Sequence, residues 1–442
     1  MPALPLVILE VSEVVSKIFE SLYPPVWEIF KLWWWLPVPL VLFFPLRFLY
    51  LWYIEDKWFD EIEWVMVEVK MPREIDRPIK AMEQVMNGFW VVYDAPDFKE
   101  RWLEGKFLLR FSLEVASIDG VVHFFIRMAR AMKEIFEAAV YSQYPEVEIQ
   151  EVPDYTKDMP QNVPNKEWDL WGCDYELSKG NCYPIRTYAK FFEPSPEYKE
   201  EERRIDPLAV LVEGLSKLKK GEQFWFQIVV KPITDEQIPW TKECKKLVDK
   251  LVRRPEEAKP KSIISLIGGA FQFLITGKLP EEEKKKEELI PPEMKLTPGE
   301  REIVSSIEEK IGKQGFETNV RFIYFGKKEL FFKGRLRFGL NFTNSFSTVN
   351  LNTIKPWGKT ITKVTPPAPF REKRLYLRQR RLFKRYIRRW SPLFPASGGT
   401  FILNAEELAS LFHFPSEAGA PTPAFPRIEA KKGGPPPSLP TE

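Results

Sequence analysis

The feature that most limits what this chain can become is a run of 23 residues between Lys31 and Glu55, LWWWLPVPLVLFFPLRFLYLWYI, whose only charge is Arg47. As a helix it would rise roughly 34 Å, enough for a bilayer core of ~30 Å. Trp33, Trp34, Trp35 and Trp52 stand toward its two borders as interfacial anchors do, and Arg47 lies close enough to the C-terminal end to snorkel toward headgroups. Pro37, Pro39 and Pro45 would kink such a helix without forbidding it. The expectation is a membrane anchor over residues 26–56, with an interfacial or re-entrant hairpin and a buried core helix as alternatives, since the apolar part before Pro45 is short. Over residues 1–25, Val7, Val11, Val14, Val15, Ile18 and Leu22 recur at helical spacing opposite Glu10, Glu13 and Lys17, which predicts an amphipathic helix lying on the membrane. Basic residues favour the C-terminal flank, with Arg47, Lys57, Lys70 and Arg73 against Lys17 and Lys31. That bias predicts a single-pass protein of the cell membrane with its C-terminal domains in the cytoplasm. No basic leader or small-residue cleavage site accompanies the run, so a secretory signal is not expected.

A chain of 442 residues exceeds one ordinary core and calls for two or three folded units with linkers, and 40 prolines mark several stretches as linker or broken helix. Three cysteines, Cys173, Cys182 and Cys244, offer no C-x-x-C pair and leave one over. They argue against a disulfide framework and a cysteine-rich zinc site, and fit a reducing compartment.

After the anchor, alternation and helical spacing alternate in turn. EWVMVEVK (63–70) reads as a strand, a helix follows from Pro78, and KFLLRFSLEVASI and VVHFFIRM are strands joined at Asp119-Gly120, a strong hairpin signal. A helix over 129–141 and a strand over 147–153 complete β-α-β-β-α-β, so residues 57–160 are expected to form a ferredoxin-like unit. A second α+β unit of the same kind is expected over 165–364. It would comprise short strands at DLWGCDYEL and YPIRTYAKF, a helix capped by Asp206, a buried strand over 222–233, helices over 238–253 and 298–313, a strand from Gly315 and a helix near 329–345. A charged and apolar insert, 254–296, would interrupt it. Within that insert, 262–278 reads as an interfacial segment and 281–289 as solvated linker. Residues 365–442 are expected to hold a basic helix, a short capped helix over 404–414 and a Pro-rich tail. The predicted class is thus α+β: a membrane helix, two ferredoxin-like split βαβ units, then the basic helix and tail.

Catalytic patterns fail on spacing. Gly358-Lys359-Thr360 ends like a phosphate loop, but Thr353 stands at the upstream glycine position, with Pro356 and Trp357 where small residues are needed. Asp97, Glu104 and Lys106 superficially resemble a nuclease set and read better as a solvated loop and helix start. His123 sits in an alternating strand and His413 at a helix end, where packing or capping outweighs ligation. No enzyme, cofactor or metal site is expected.

The strongest physical feature is REKRLYLRQRRLFKRYIRR, residues 371–389, with ten positive residues against Glu372 alone. Since the whole chain carries only +3, the rest of it is mildly acidic. Three uses remain open for Arg374, Arg378, Arg380, Arg381, Lys384, Arg385, Arg388 and Arg389: docking on an acidic partner or on the protein's own acidic surface, contact with anionic lipid, or contact with a nucleic-acid backbone.

The strings IEWVMVEVKMPRE, FSLEVASIDGVVHFFIR, DLWGCDYEL with YPIRTYAKFFE, RIDPLAVLVEGLSKLKKGEQFWFQIVVKP and ILNAEELASLFHFP, which span most of the chain from residue 26, resemble a membrane-anchored module of bacteria. That module is found ahead of, or encoded beside, type IV secretion and conjugation ATPases of the coupling-protein, HerA-like kind. The resemblance implies an association with DNA transfer; with an anchor and globular domains but no catalytic set, the expectation is a non-enzymatic tether or adaptor that positions a DNA-translocating P-loop ATPase, with membrane lipid, DNA and a second copy of the chain as further partners. It transfers no catalytic residues. In the module a GKT-type ATPase commonly follows the Pro-rich tail. Here PPPSLPTE stands in its place, so the motor is expected on a separate chain or lost.

Overall fold

The computed structural model describes residues 28, 31, 37–72, 77–191, 206–252, 296–392 and 399–415. The expected helix over 1–25, the anchor tryptophans Trp33, Trp34 and Trp35, the segment 262–278, the linker 281–289 and the Pro-rich tail lie outside them. The chain divides into two compact units, one of Met1–Glu63 with Ala95–Leu108, the other of Trp64–Asp94 with Leu109–Glu442.

In the first unit, helix α1 runs Pro37–Glu61 with Pro45 inside it. From Pro37 to Ile54 the apolar part rises only about 27 Å, and beyond it come Glu55, Asp56, Lys57, Asp60 and Glu61. Arg47 falls in the middle of this stretch, not at a headgroup border, and its guanidinium lies 4.9 Å from the centroid of Trp102. Among the described residues no helix is long and apolar enough to cross a membrane. The expected single-pass span is therefore overturned, and with it the cell-membrane placement and the cytoplasmic orientation drawn from its flanking charges. Tyr50 donates a 2.8 Å hydrogen bond to the Trp102 carbonyl, and Trp58 meets Phe107 edge to face. Gly105 closes the Glu100–Glu104 turn at φ +71°, where a side chain would strike the Ile54 backbone. Val41, Phe44, Leu46, Leu49, Trp52 and Tyr53 remain exposed.

The second unit is built on one sheet. Its strands are β1 (Trp64–Lys70), β2 (Phe111–Ile118), β3 (Val121–Ala129), β4 (Glu148–Val152), β5 (Trp168–Leu177), β6 (Glu222–Pro232), β7 (Gly315–Lys327), β8 (Ile354–Pro356) and β9 (Phe401–Asn404). Their order is β4-β1-β3-β2-β6-β7-β5-β8, with β9 also on β7, and every pairing is antiparallel. The expectation of two ferredoxin-like units fails at one place. β2 pairs with β6 along eight residues, from Phe111 opposite Val230 to Ile118 opposite Gln223, so the strands assigned to separate units form one nine-stranded sheet. β6 and β7 read as nearly unbroken apolar runs because both of their faces are covered. YPIRTYAKF is not a strand; its only regular element is the short turn Tyr188–Lys190.

On one face of the sheet lie α2 (Ile79–Phe89), α3 (Lys133–Gln143), α4 (Pro207–Ser216), α7 (Arg337–Ser345) and α9 (Ala405–Leu411). Phe89 packs edge on to Phe111 and Phe136, Phe226 to Phe342, and Phe124 to Phe412. α5 (Trp240–Val252) and α6 (Pro298–Ile311) pair with each other around Trp240, Val248, Val304 and Ile307. Asp206 caps α4 as its position before Pro207 predicts, accepting from the Leu208 amide at 2.7 Å. Cys182 and Cys244 form a disulfide that ties the turn after β5 to α5, which corrects the reading of three unpaired thiols; Cys173 alone is free, and buried. On the opposite face one helix dominates, α8 (Arg371–Arg388).

Candidate functional site

Each of four neighbouring strands carries a charged or amide residue within a largely apolar stretch: Glu114 in FSLEVASI, Gln227 in FWFQIVV, Arg321 in VRFIYF and Asp174 in LWGCDYEL. The register sets Glu114 opposite Gln227, Gln227 opposite Arg321, and Arg321 opposite Asp174. The four form one rung across the sheet, and all are wholly buried. Arg321 pairs with Asp174 at 3.1 Å and donates to the Trp390 carbonyl at 2.6 Å. Burial lowers the Arg321 pKa to about 10, against the opposing pull of Asp174.

α8 is laid over this rung. Leu382, Phe383 and Tyr386 pack on Trp225, Ile323 and Phe325, and Gly172 of β5 is needed because a side chain there would collide with Leu382 and the Phe322 carbonyl. Arg385 reaches Asp174 at 3.1 Å. Arg389, wholly enclosed, forks onto two carboxylates, meeting Glu114 at 2.9 and 3.2 Å and Asp154 at 2.6 and 3.1 Å. To do so it closes the helix in a left-handed conformation, φ +53°, which costs a side-chain-bearing residue about 1–2 kcal/mol. Burial opposes charge on Arg389, but Glu114 and Asp154 outweigh it and hold its pKa above the usual arginine value. Burial likewise pushes Asp154 up, and the Arg389 charge wins and leaves it lowered. Tyr155 donates to Glu114 at 2.6 Å and receives the Tyr386 hydroxyl at 2.8 Å, and burial raises both phenols. Further along, Arg378 donates to the Ile361 and Lys363 carbonyls and Arg380 to those of Gln161 and Val163.

The eight cations singled out in the sequence therefore separate into two sets. Arg378, Arg380, Arg385 and Arg389 are committed to the protein's own carbonyls and carboxylates. Arg374, Arg381, Lys384 and Arg388 are exposed, together with Arg371 and Lys373. Lys373, Arg374, Arg381, Lys384 and Arg388 fall on one stripe at helical spacing, about 22 Å long, with Leu377 among them and Arg388 stacked 5.1 Å over Trp390. This stripe is the surface with the plainest ligand chemistry: a row of cations that an array of phosphates or carboxylates fits.

The remaining sequence candidates have structural partners. Lys106 is held by Glu100 and Glu104 at 2.8 and 2.9 Å, and these hydrogen bonds raise its pKa; the Asp97 amide donates to Glu100, so the apparent nuclease set is a turn stitched to itself. His123 bonds Glu68 at 2.6 Å and stacks on Phe125. His413 bridges the Ala409 carbonyl and Asp206 at 3.0 and 2.9 Å. Thr360 accepts from the Asp174 amide, an internal role for the residue that ends the GKT string. Trp52 and Arg47 belong to α1 of the other unit. Among the described residues no group of three or more His, Cys, Asp or Glu side chains could hold a metal ion. Glu114, Asp154, Asp174, Gln227 and Arg321 were missed from sequence, yet a charged or amide residue inside a largely apolar strand pattern was a usable signal for four of them.

Residues 60–423 match the family described as a domain of unknown function (DUF8128). No curated protein matches the chain.

Proposed function

For a chain that belongs to the DUF8128 family, a domain of unknown function, we propose a non-enzymatic assembly component that holds a nucleic-acid backbone along the exposed stripe of α8. The observation that carries this reading is the division of labour on the helix: four arginines fix it to strands and loops of its own unit while Lys373, Arg374, Arg381, Lys384 and Arg388 face outward. A row of cations along one face of a helix suits phosphates read without regard to base, since phosphate contacts position a partner and carry no sequence information. The reading extends to a DNA-translocating P-loop ATPase on a separate chain as the partner brought to that nucleic acid, which rests on the sequence resemblance.

The test is binding of a short labelled DNA duplex as salt is raised. The wild-type chain is expected to lose affinity steeply, and the combined variant Lys373→Gln, Arg374→Gln, Arg381→Gln, Lys384→Gln to lose most binding and about 0.9 of log-log slope for each contact removed. Binding without salt dependence, or an unchanged slope in the variant, would overturn it. Preference for anionic vesicles over DNA would move the same stripe to lipid.

A further inference from the structure

Two aromatic rings stand open beside the cations of α8. Phe370, the residue that precedes the helix, is 80% exposed, and Tyr376, in its second turn, is 47% exposed. The other two rings of the helix, Phe383 and Tyr386, are wholly buried against the sheet. Among the described residues neither open ring meets another ring, and the Tyr376 hydroxyl has no hydrogen-bond partner. Phe370 moreover takes a left-handed backbone conformation, φ +53°, which suits glycine or asparagine and disfavours a bulky side chain. A ring that is neither packed nor matched to its backbone adds little to the fold.

Position ties both rings to the stripe. Phe370 lies three residues before Lys373 and Tyr376 three residues after it. Leu377, 40% exposed, stands four residues from Lys373 and four from Arg381, so helical spacing interleaves aromatic and apolar surface with the cations. In a duplex the bases are stacked on one another and turned inward, and these rings would have nothing to hold. A single strand offers the π-face of each base while its backbone tracks the cations. We infer, on the nucleic-acid reading of α8 given above, that the stripe takes single-stranded nucleic acid in preference to duplex, with phosphates along Lys373, Arg374, Arg381, Lys384 and Arg388 and bases stacked on Phe370 and Tyr376. Stacking of this kind adds affinity without regard to base identity, since every base has a π-face.

Fluorescence anisotropy on the full chain separates stacking from charge, with three labelled probes of about 12 nucleotides: a single strand, the matched duplex, and an abasic single strand that keeps every phosphate and lacks the bases. The single strand is expected to bind at least about tenfold tighter than either of the others at one salt concentration. Phe370→Gly and Tyr376→Ala should each weaken single-strand binding about fivefold or more and leave duplex binding and the salt slope unchanged. Tyr376→Phe should bind as the wild type does, because stacking uses the ring and not the hydroxyl. Both positions are exposed, and Phe370→Gly relieves the left-handed backbone, so folding is not at stake. Equal affinity for single strand and duplex, undiminished binding of the abasic strand, or ring variants that bind as the wild type does would overturn the inference and leave nucleic-acid binding standing. So would a Tyr376→Ala variant that loses duplex binding in the same proportion. No binding of any probe would overturn both.

Discussion

Arg389 shows how much a single side chain carries. Its guanidinium bridges the buried Glu114 and the partly buried Asp154 in a left-handed backbone conformation, so Arg389→Ala would leave the two carboxylates facing each other without it. Removing one partner of a buried pair costs about 3–5 kcal/mol, and urea denaturation should show a loss in that range. Arg381→Ala, on the exposed side of the same helix, should leave the midpoint where it was. His413 and Asp206 give a pH dependence. Burial pushes the Asp206 carboxyl up, but the His413 charge and hydrogen bond and the two capping amides outweigh this and leave it below its ordinary value. A carboxyl depressed in the folded state contributes stability above its unfolded pKa of about 3.9, and that contribution fades as pH falls through the folded value. Denaturation between pH 7 and pH 3 should therefore steepen toward acid in the wild type, and less so in Asp206→Asn. Neither pair could be read from sequence: Glu114 and Arg389 stand in separate motifs, and only the register and the helix end bring them together.

Among the elements, those set by local chemistry were legible. The Asp119-Gly120 hairpin, the Asp206 cap, the capping box of Asn404 with Glu407 on α9, and the amphipathic pattern of α8 all follow from residues a few positions apart. β8 and β9 were not, because three or four residues carry no period. α1 differs for another reason: length and composition alone favour a span, while the described helix Pro37–Glu61 holds only a short apolar part and sets Arg47 on Trp102. The disulfide was invisible because cysteines 62 residues apart announce nothing by spacing. Closing a loop of that length gives a chain-entropy stabilisation of about 4 kcal/mol. Cys244→Ser, or reduction of the wild type, should lower the melting temperature, whereas reducing agent should leave the serine variant unaffected.

At the scale of the whole sheet unit, the decisive misreading was of number. The strands from β1 to β4 and those from β5 onward look like two modules because the chain between them changes texture, but the pairing of β2 with β6 is a long-range contact that no local pattern encodes. One sheet with shared cores predicts one transition. Far-UV circular dichroism and the fluorescence of Trp225, enclosed among Phe325, Phe383 and Tyr386, should change together in denaturant; separate midpoints for the two would indicate that the halves melt independently. The charge distribution changes meaning at the same scale, since part of the basic helix is spent inside the molecule and only the outward remainder is available to a partner.

The buried rung also makes the seating of one helix depend on four strands at once. Glu114, Gln227, Arg321 and Asp174 come from strands scattered along the chain, and their polar groups line up only when β2, β6, β7 and β5 are already side by side. Until then Arg385 and Arg389 have no seat, so a seated α8 reports that the four strands beneath it are paired. A chain in which those strands had not yet paired would carry the whole of its positive helix in solvent, and a surface that displays six cations would display ten.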